Sequence, residues 1–155
     1  MPFPIQIIGF GHKKETLTGE ADHYLRLLGH YADCTLTYLK PPGGKKTDPN
    51  AIVENEGRLL MSKVPGRAFL VSLSQEGKAF TSKAFSAWLA ERALAGTPLA
   101  FMIGGAYGLS ASIKKQSREV ISLSQLTLPH RLCYTILIEQ LYRAFTILKG
   151  HPYHK

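Results

Sequence analysis

The feature that most constrains this chain is the alternation of two hydrophobic periods along its whole length. Short apolar, β-branched runs fall at residues 3–8, 35–39, 67–73, 99–103 and 120–123. Between and after them lie longer stretches, 15–28, 49–64, 81–95, 109–117 and 129–149, whose apolar residues recur at the spacing of a helix. A strand covered on both faces is a near-continuous apolar run, because a parallel sheet has helices above and below it. The punctuation agrees with that reading. Gly9 ends the first run, and Gly29 can end a helix whose inner face carries Leu17, Ala21, Tyr24, Leu25 and Leu28. Pro41 and Pro42 stop the second strand and lead into a Gly/Pro/Lys loop over residues 40–48. Asp48 and Pro49 then supply a capping carboxylate and a proline at the first helical position. Phe85, Trp88 and Leu89 mark the inward face of the 81–95 helix. Five strands alternating with five helices predict one α/β domain over residues 1–155, with a mainly parallel sheet and helices on both faces.

Composition narrows the partners. Apolar residues make up 45% of the 155, enough for a true core, so disorder is excluded. Lys and Arg number 19 against 11 Asp and Glu, a net charge of +8, which favours an anionic partner such as nucleic acid or a membrane surface over a charge kept for solubility alone. No run approaches the roughly 18 apolar residues of a membrane span. The start, Met-Pro-Phe-Pro, lacks the charged and apolar regions of a secretory signal. Cys34 and Cys133 are too few for a disulfide framework and suit reduced, small buried side chains, as in the cytosol. The scattered histidines show no metal-ligand spacing, so no metal site is expected. Gly-x-Ser-x-Gly is absent, so a hydrolase elbow is not supported.

The last helix is apolar almost all round. Its polar residues at 135, 139, 143 and 146 form one narrow stripe. Such a helix is covered on both sides. With one sheet available, the second cover is expected to be another copy of the chain in a two-fold dimer, against burial wholly within the monomer.

Open α/β sheets bind ligands beyond the carboxyl ends of their strands. Three segments leave such ends here: the one after Leu73, the run Gly104-Gly105-Ala106-Tyr107-Gly108, and Ser124-Gln125-Leu126-Thr127-Leu128 leading into Pro129. Three glycines in five residues allow a sharp turn and close approach of main chain to a ligand. The spacing is neither a Walker loop nor a dinucleotide fingerprint, and by itself leaves a plain turn and a ligand loop equally open. Pro129 starts the final helix, and the unpaired amides of its first turn point at whatever lies there. His130 in that turn is an RNA contact or an ordinary surface histidine. The tail, Gly150-His151-Pro152-Tyr153-His154-Lys155, is a base-stacking element or a frayed end.

Several blocks resemble one family. The run from Phe101 to Ser110, with Ile103-Gly-Gly-x-x-Gly-Leu109 inside it, is similar to a loop of the large-subunit ribosomal pseudouridine methyltransferases of the SPOUT class, the RlmH family. So are Leu123-Ser-Gln-Leu-Thr-Leu-Pro-His130, Ile138-Glu-Gln-Leu-Tyr-Arg-Ala-Phe145 and the ending Pro152-Tyr-His154. Fainter matches are Tyr24-Leu-Arg26, Asn55-Glu-Gly57, and Leu73 with Gly77-Lys78. The resemblance implies a SPOUT fold with a deep C-terminal trefoil knot, a rare exception to ordinary chain topology. It also implies a homodimer that uses S-adenosylmethionine to methylate N3 of a pseudouridine in 23S rRNA on assembled ribosomes. It assigns the cofactor to Leu73, Gly105, Ser124, Gln125, Leu126, Thr127, Leu128 and Pro129. It makes His130, Arg143 and His154 catalytic candidates, and Arg143, Tyr153 and His154 RNA contacts. Departures from the pattern are Ala106-Tyr107 in the glycine loop, Tyr134 where arginine is usual, and Ser74 where an acid is common; the first puts that loop's substrate contacts in doubt.

Under this reading the protein aligns donor and acceptor and favours loss of the N3 proton. Arg143 stabilises charge on the base carbonyls, Glu139 holds Arg143 by an i,i+4 pair, and His130 or His154 relays the proton. The rival classes are a non-catalytic RNA-binding or ribosome-assembly protein, which would lack cofactor affinity, and a SPOUT enzyme acting on tRNA.

Overall fold

A computed structural model describes residues 2–11, 19–42 and 48–155. Leu17, the start of its predicted helix and residues 43–47 of the lysine loop lie outside the described residues. The strands are β1 (Phe3–Phe10), β2 (Ala32–Leu39), β3 (Phe69–Ala79), β4 (Leu99–Met102) and β5 (Glu119–Ser122). The helices are α1 (Gly19–Leu28), α2 (Pro49–Met61), α3 (Ser82–Ala95), α4 (Ala111–Gln116) and α5 (His130–Leu148). The strands form one sheet in the order β2-β1-β4-β3-β5, with every neighbouring pair parallel.

Side-chain alternation divides the core into two layers. Ile5 and Ile7 of β1 and Leu99 and Phe101 of β4 face one side, where α1, α3 and α5 pack. Ile8, Phe10, Ala100 and Met102 face the other, against Leu60 of α2 and Ile113 of α4. Local chemistry fixes the helix ends. The Asp48 carboxylate accepts from the amide of Asn50 with Pro49 in the first turn, as the sequence predicts. Thr81 caps α3 through the amide of Ala84, and Gly96 ends it in the left-handed region at φ 72°. No described helix is long and apolar enough to cross a membrane.

Two expectations need correction. First, β3 does not stop at Leu73. It continues to Ala79, and residues 74–77 form an excursion: Leu73 and Lys78 both pair with Ile121 of β5. Gly77 makes this possible, since a Cβ there would fall 2.6 Å from the main chain of Val120. The apolar run ends at Leu73 because the strand beyond it is half-exposed and polar, which hydrophobic periodicity does not register.

Second, most of the apolar circumference of α5 is covered within one chain. It lies on the sheet between α1 and α3. Ser86 of α3 donates to the carbonyl of Ala144 at 2.9 Å, and Tyr31, just after α1, stacks on Phe145 at 5.7 Å. Thr146, assigned to the polar stripe, is fully buried and returns its hydroxyl to the carbonyl of Arg143. The apolar pattern of α5 therefore does not by itself require a second copy. A partly exposed stripe of Leu132, Ile136, Glu139, Gln140, Arg143 and Ile147 remains.

Tyr134 is also core. It is 0% exposed, and its hydroxyl donates to the carbonyl of Phe10 at 3.0 Å. A Cβ on Gly9 would lie 2.0 Å from that hydroxyl, so the tyrosine and the glycine fit only together.

Candidate functional site

The three segments singled out in the sequence converge at the carboxyl ends of β3, β4 and β5 around a cavity of about 350 Å³. That is within the size of small-molecule sites, roughly 300–1,000 Å³. Leu73, Ile103, Leu109, Leu123 and Leu128 give it an apolar lining, completed by residues 104–108, Ser124, Leu126 and Thr127.

Each glycine of the second segment answers a separate demand. Gly108 donates its amide to the carbonyl of Gly105 at 3.1 Å and sits at φ 78°, a left-handed conformation that glycine adopts without strain. Gly104 faces the main chain of Gly108, which a Cβ would approach to 2.5 Å. Gly105 faces the Glu56 carboxylate of α2, 2.6 Å from where its Cβ would be. Ala106 and Tyr107 form the exposed apex of the turn, with Tyr107 58% exposed. The departure from the family pattern therefore lies at the cavity mouth, and the backbone geometry of the turn does not depend on it.

The third segment is folded by its own side chains. Ser122 donates to the carbonyl of Ser124, and the Ser124 hydroxyl accepts from the amide of Leu126 at 3.0 Å. Thr127 then donates to Gln75 at 3.0 Å, tying this segment to the β3 excursion. Lys114 of α4 ties the same excursion from the other side by an ion pair with Glu76 at 3.2 Å. Gln75, Glu76 and Lys114 were not singled out in the sequence. No motif marks them; the only signal was their place beside a strand end. α5 opens at Pro129 without a side-chain cap, and Leu128, His130 and Cys133 from this junction line the cavity. Burial raises the Cys133 thiol above its usual range, against a nucleophilic role there.

Six of the eight predicted cofactor residues line the cavity: Leu73, Gly105, Ser124, Leu126, Thr127 and Leu128. Gln125 and Pro129 belong to the same segment but are not among the lining residues. His130 lines it as well. Arg143, Tyr153 and His154 do not. Thirteen residues of helix separate His130 from Arg143, about 20 Å along the axis.

Those three residues build a second cluster. Glu139 accepts from the guanidinium of Arg143 at 2.5 and 2.9 Å, the i,i+4 pair the sequence predicts. Arg143 Nη1 lies 3.1 Å from Nδ1 of His154, and its guanidinium covers the Tyr153 ring at 4.8 Å. The Tyr153 hydroxyl donates to Glu139 at 3.0 Å and lies 3.3 Å from the Tyr24 hydroxyl of α1, from which it can accept. The tail is thus fastened to α5 and α1. Burial, with the contacts to Tyr24 and Glu139, pushes the Tyr153 phenol up, so it stays protonated. The hydrogen bonds that the Arg143 guanidinium donates to Glu139 hold it charged. Together these present a fixed cation and a part-exposed imidazole at the surface.

A family model described as "Predicted SPOUT methyltransferase" matches residues 3–154. Among curated relatives, proteins named "Ribosomal RNA large subunit methyltransferase H" from Streptococcus pneumoniae strains CGSP14, 70585 and JJA are each 38% identical, over 97% of this chain and 99% of the relative.

Proposed function

The chain belongs to the SPOUT methyltransferase family, and from that premise we propose that it methylates ribosomal RNA with S-adenosylmethionine held in the 350 Å³ cavity. The observation that carries the reading is the cavity itself, because its materials suit that cofactor. Apolar walls from Leu73, Ile103, Leu109 and Leu128 suit a flat base, while the glycine turn 104–108 and the polar residues Ser124 and Thr127 suit an amino acid and a ribose. Leu73, Gly105, Ser124, Leu126, Thr127 and Leu128 would hold the cofactor, with Gln125 and Pro129 shaping their segment. When bound, the cofactor supplies a methyl carbon already activated by its sulfonium. The protein contributes alignment of the acceptor and exclusion of water.

The finer reading names N3 of a pseudouridine in 23S rRNA, on assembled ribosomes in the cytoplasm, as the acceptor. A large-subunit ribosomal RNA target is supported by the names of the relatives and by the net charge of +8; the base and its N3 atom rest on the motif resemblance. Arg143 faces the base and stabilises negative charge on its carbonyls as the N3 proton leaves, held in place by Glu139. His154 beside it, or His130 at the cavity, takes that proton. Tyr153 offers a ring for stacking.

Arg143, Tyr153 and His154 cannot meet the cavity of their own chain, about 20 Å away along α5. A homodimer resolves the separation. In a two-fold, antiparallel crossing of two α5 helices near Ile136, residues 130 and 143 lie equally far from the crossing point on opposite sides. His130 of one copy then approaches Arg143 of the other, and the exposed stripe of Leu132, Ile136 and Ile147 becomes buried. The family's trefoil knot is part of the same reading. It is supported by the path of the chain, which leaves edge strand β5 and returns beside β1, where Tyr134 meets Phe10.

The deciding experiment is mass mapping of modified nucleotides in a strain lacking the gene, with the purified protein added back to ribosomes, to free rRNA and to tRNA. The expected result is one methyl group missing from large-subunit rRNA and restored only on ribosomes. A missing tRNA methyl group would move the substrate. Absence of calorimetric binding to S-adenosylmethionine would leave a non-catalytic RNA-binding protein.

A further inference from the structure

Glu56 is the one acidic side chain buried in the core among the described residues, 6% exposed, and its Oε1 has no hydrogen-bond partner. It lies on α2 one helical turn before Leu60, on the apolar stripe that faces the sheet. Its two carboxylate oxygens sit 2.6 and 2.9 Å from the place a Cβ on Gly105 would take, so the carboxylate presses against main chain there. Gly105 lines the cavity on its other side, while Glu56 does not reach the cavity. One layer of backbone therefore separates this buried carboxylate from the cavity. Nothing among the described residues forms an ion pair with it. Burial raises its pKa accordingly.

A carboxylate left in this state destabilises the fold, and an apolar side chain of the same volume would fit the stripe better. A positive charge across one peptide layer compensates it, because Coulomb attraction in a protein medium remains substantial over that span. Resting on the cofactor reading above, we infer that Glu56 is a positioning residue that lets the cavity tell a cationic ligand from a neutral one. S-adenosylmethionine carries a sulfonium; S-adenosylhomocysteine, left after methyl transfer, is a neutral thioether at the same atom. The carboxylate strengthens binding of the first and not the second, which favours exchange of spent cofactor for fresh.

The test is calorimetric affinity of full-length protein for both compounds, and for an analogue with a charged amine in place of the sulfonium. Glu56→Gln keeps size and removes charge; Glu56→Met keeps volume and removes polarity. In both variants the preference for S-adenosylmethionine over S-adenosylhomocysteine should fall about five- to tenfold relative to wild type, with affinity for the neutral compound within twofold. Wild type should also bind the amine analogue more tightly than the thioether, a comparison that needs no variant to fold. Equal weakening of both compounds, an unchanged preference, or an amine analogue no better than the thioether on wild type would overturn the role. If wild type binds none of the three, the cofactor reading itself fails.

Discussion

The cavity and the tail cluster are built from opposite materials. The cavity is shaped by main chain: glycines that admit no Cβ, a turn closed by one amide, and a serine that folds its own segment. The tail cluster is made of side chains, with Glu139 at its centre accepting from Arg143 and Tyr153. Main chain can wrap a ligand of fixed shape without any one residue being decisive. A charged cluster concentrates its effect in single groups. The first arrangement suits a ligand recognised by its shape, and the second suits a reaction in which charge moves.

If this contrast is right, substitutions should separate the two regions. The largest effect is expected at Gly104→Val. The added carbons meet the main chain of Gly108, so the turn must open, and affinity for S-adenosylmethionine should fall roughly hundredfold or more by calorimetry. An effect below fivefold would mean that the turn is plastic. Next is Arg143→Ala, which should lower single-turnover methylation of ribosomes about hundredfold while leaving cofactor affinity within twofold. Equal losses in both would remove the distinction. Tyr153→Phe keeps the ring under Arg143 but deletes the hydrogen bond to Glu139; turnover should drop about fivefold, again without change in cofactor affinity. The smallest effect concerns stability. Burial raises the Glu56 pKa, so the folded state holds that proton more tightly than the unfolded chain and loses stability as pH rises through the raised value. Glu56→Gln removes this loss. Its melting temperature relative to wild type should therefore climb between pH 4.5 and 7.5, and a flat difference would show that the group is already compensated.

How much of this was visible beforehand follows the same division. The five strands, the five helices and the parallel sheet follow from periodicity, because burial on two faces writes itself into apolar runs such as 99–103. The Asp48-Pro49 cap was visible because its chemistry is local. The glycine turn was visible as a turn and not as a site: spacing does not reveal that Gly105 backs onto Glu56 from a helix some fifty residues earlier. The extension of β3 past Leu73 was hidden because its outer half is polar. Most informative was α5. Its composition pointed to a second copy, while α1, α3 and the sheet cover most of it within one chain. The sounder case for a partner is the separation of His130 from Arg143, a distance that no composition contains. Glu56 left one trace: an acid at helical spacing between Ile52 and Leu60, on a stripe that should be apolar.

The excursion of β3 has a mechanical consequence. Residues 74–77 form a short segment anchored at both ends, where Leu73 and Lys78 pair with the same residue, Ile121. That wall behaves as an arch, stiff under load from within. The other walls of the chamber, the 104–108 turn and the 123–129 segment, lack such a pairing at both ends. The Thr127–Gln75 hydrogen bond couples that arch to the 123–129 segment, so the two stiffen together.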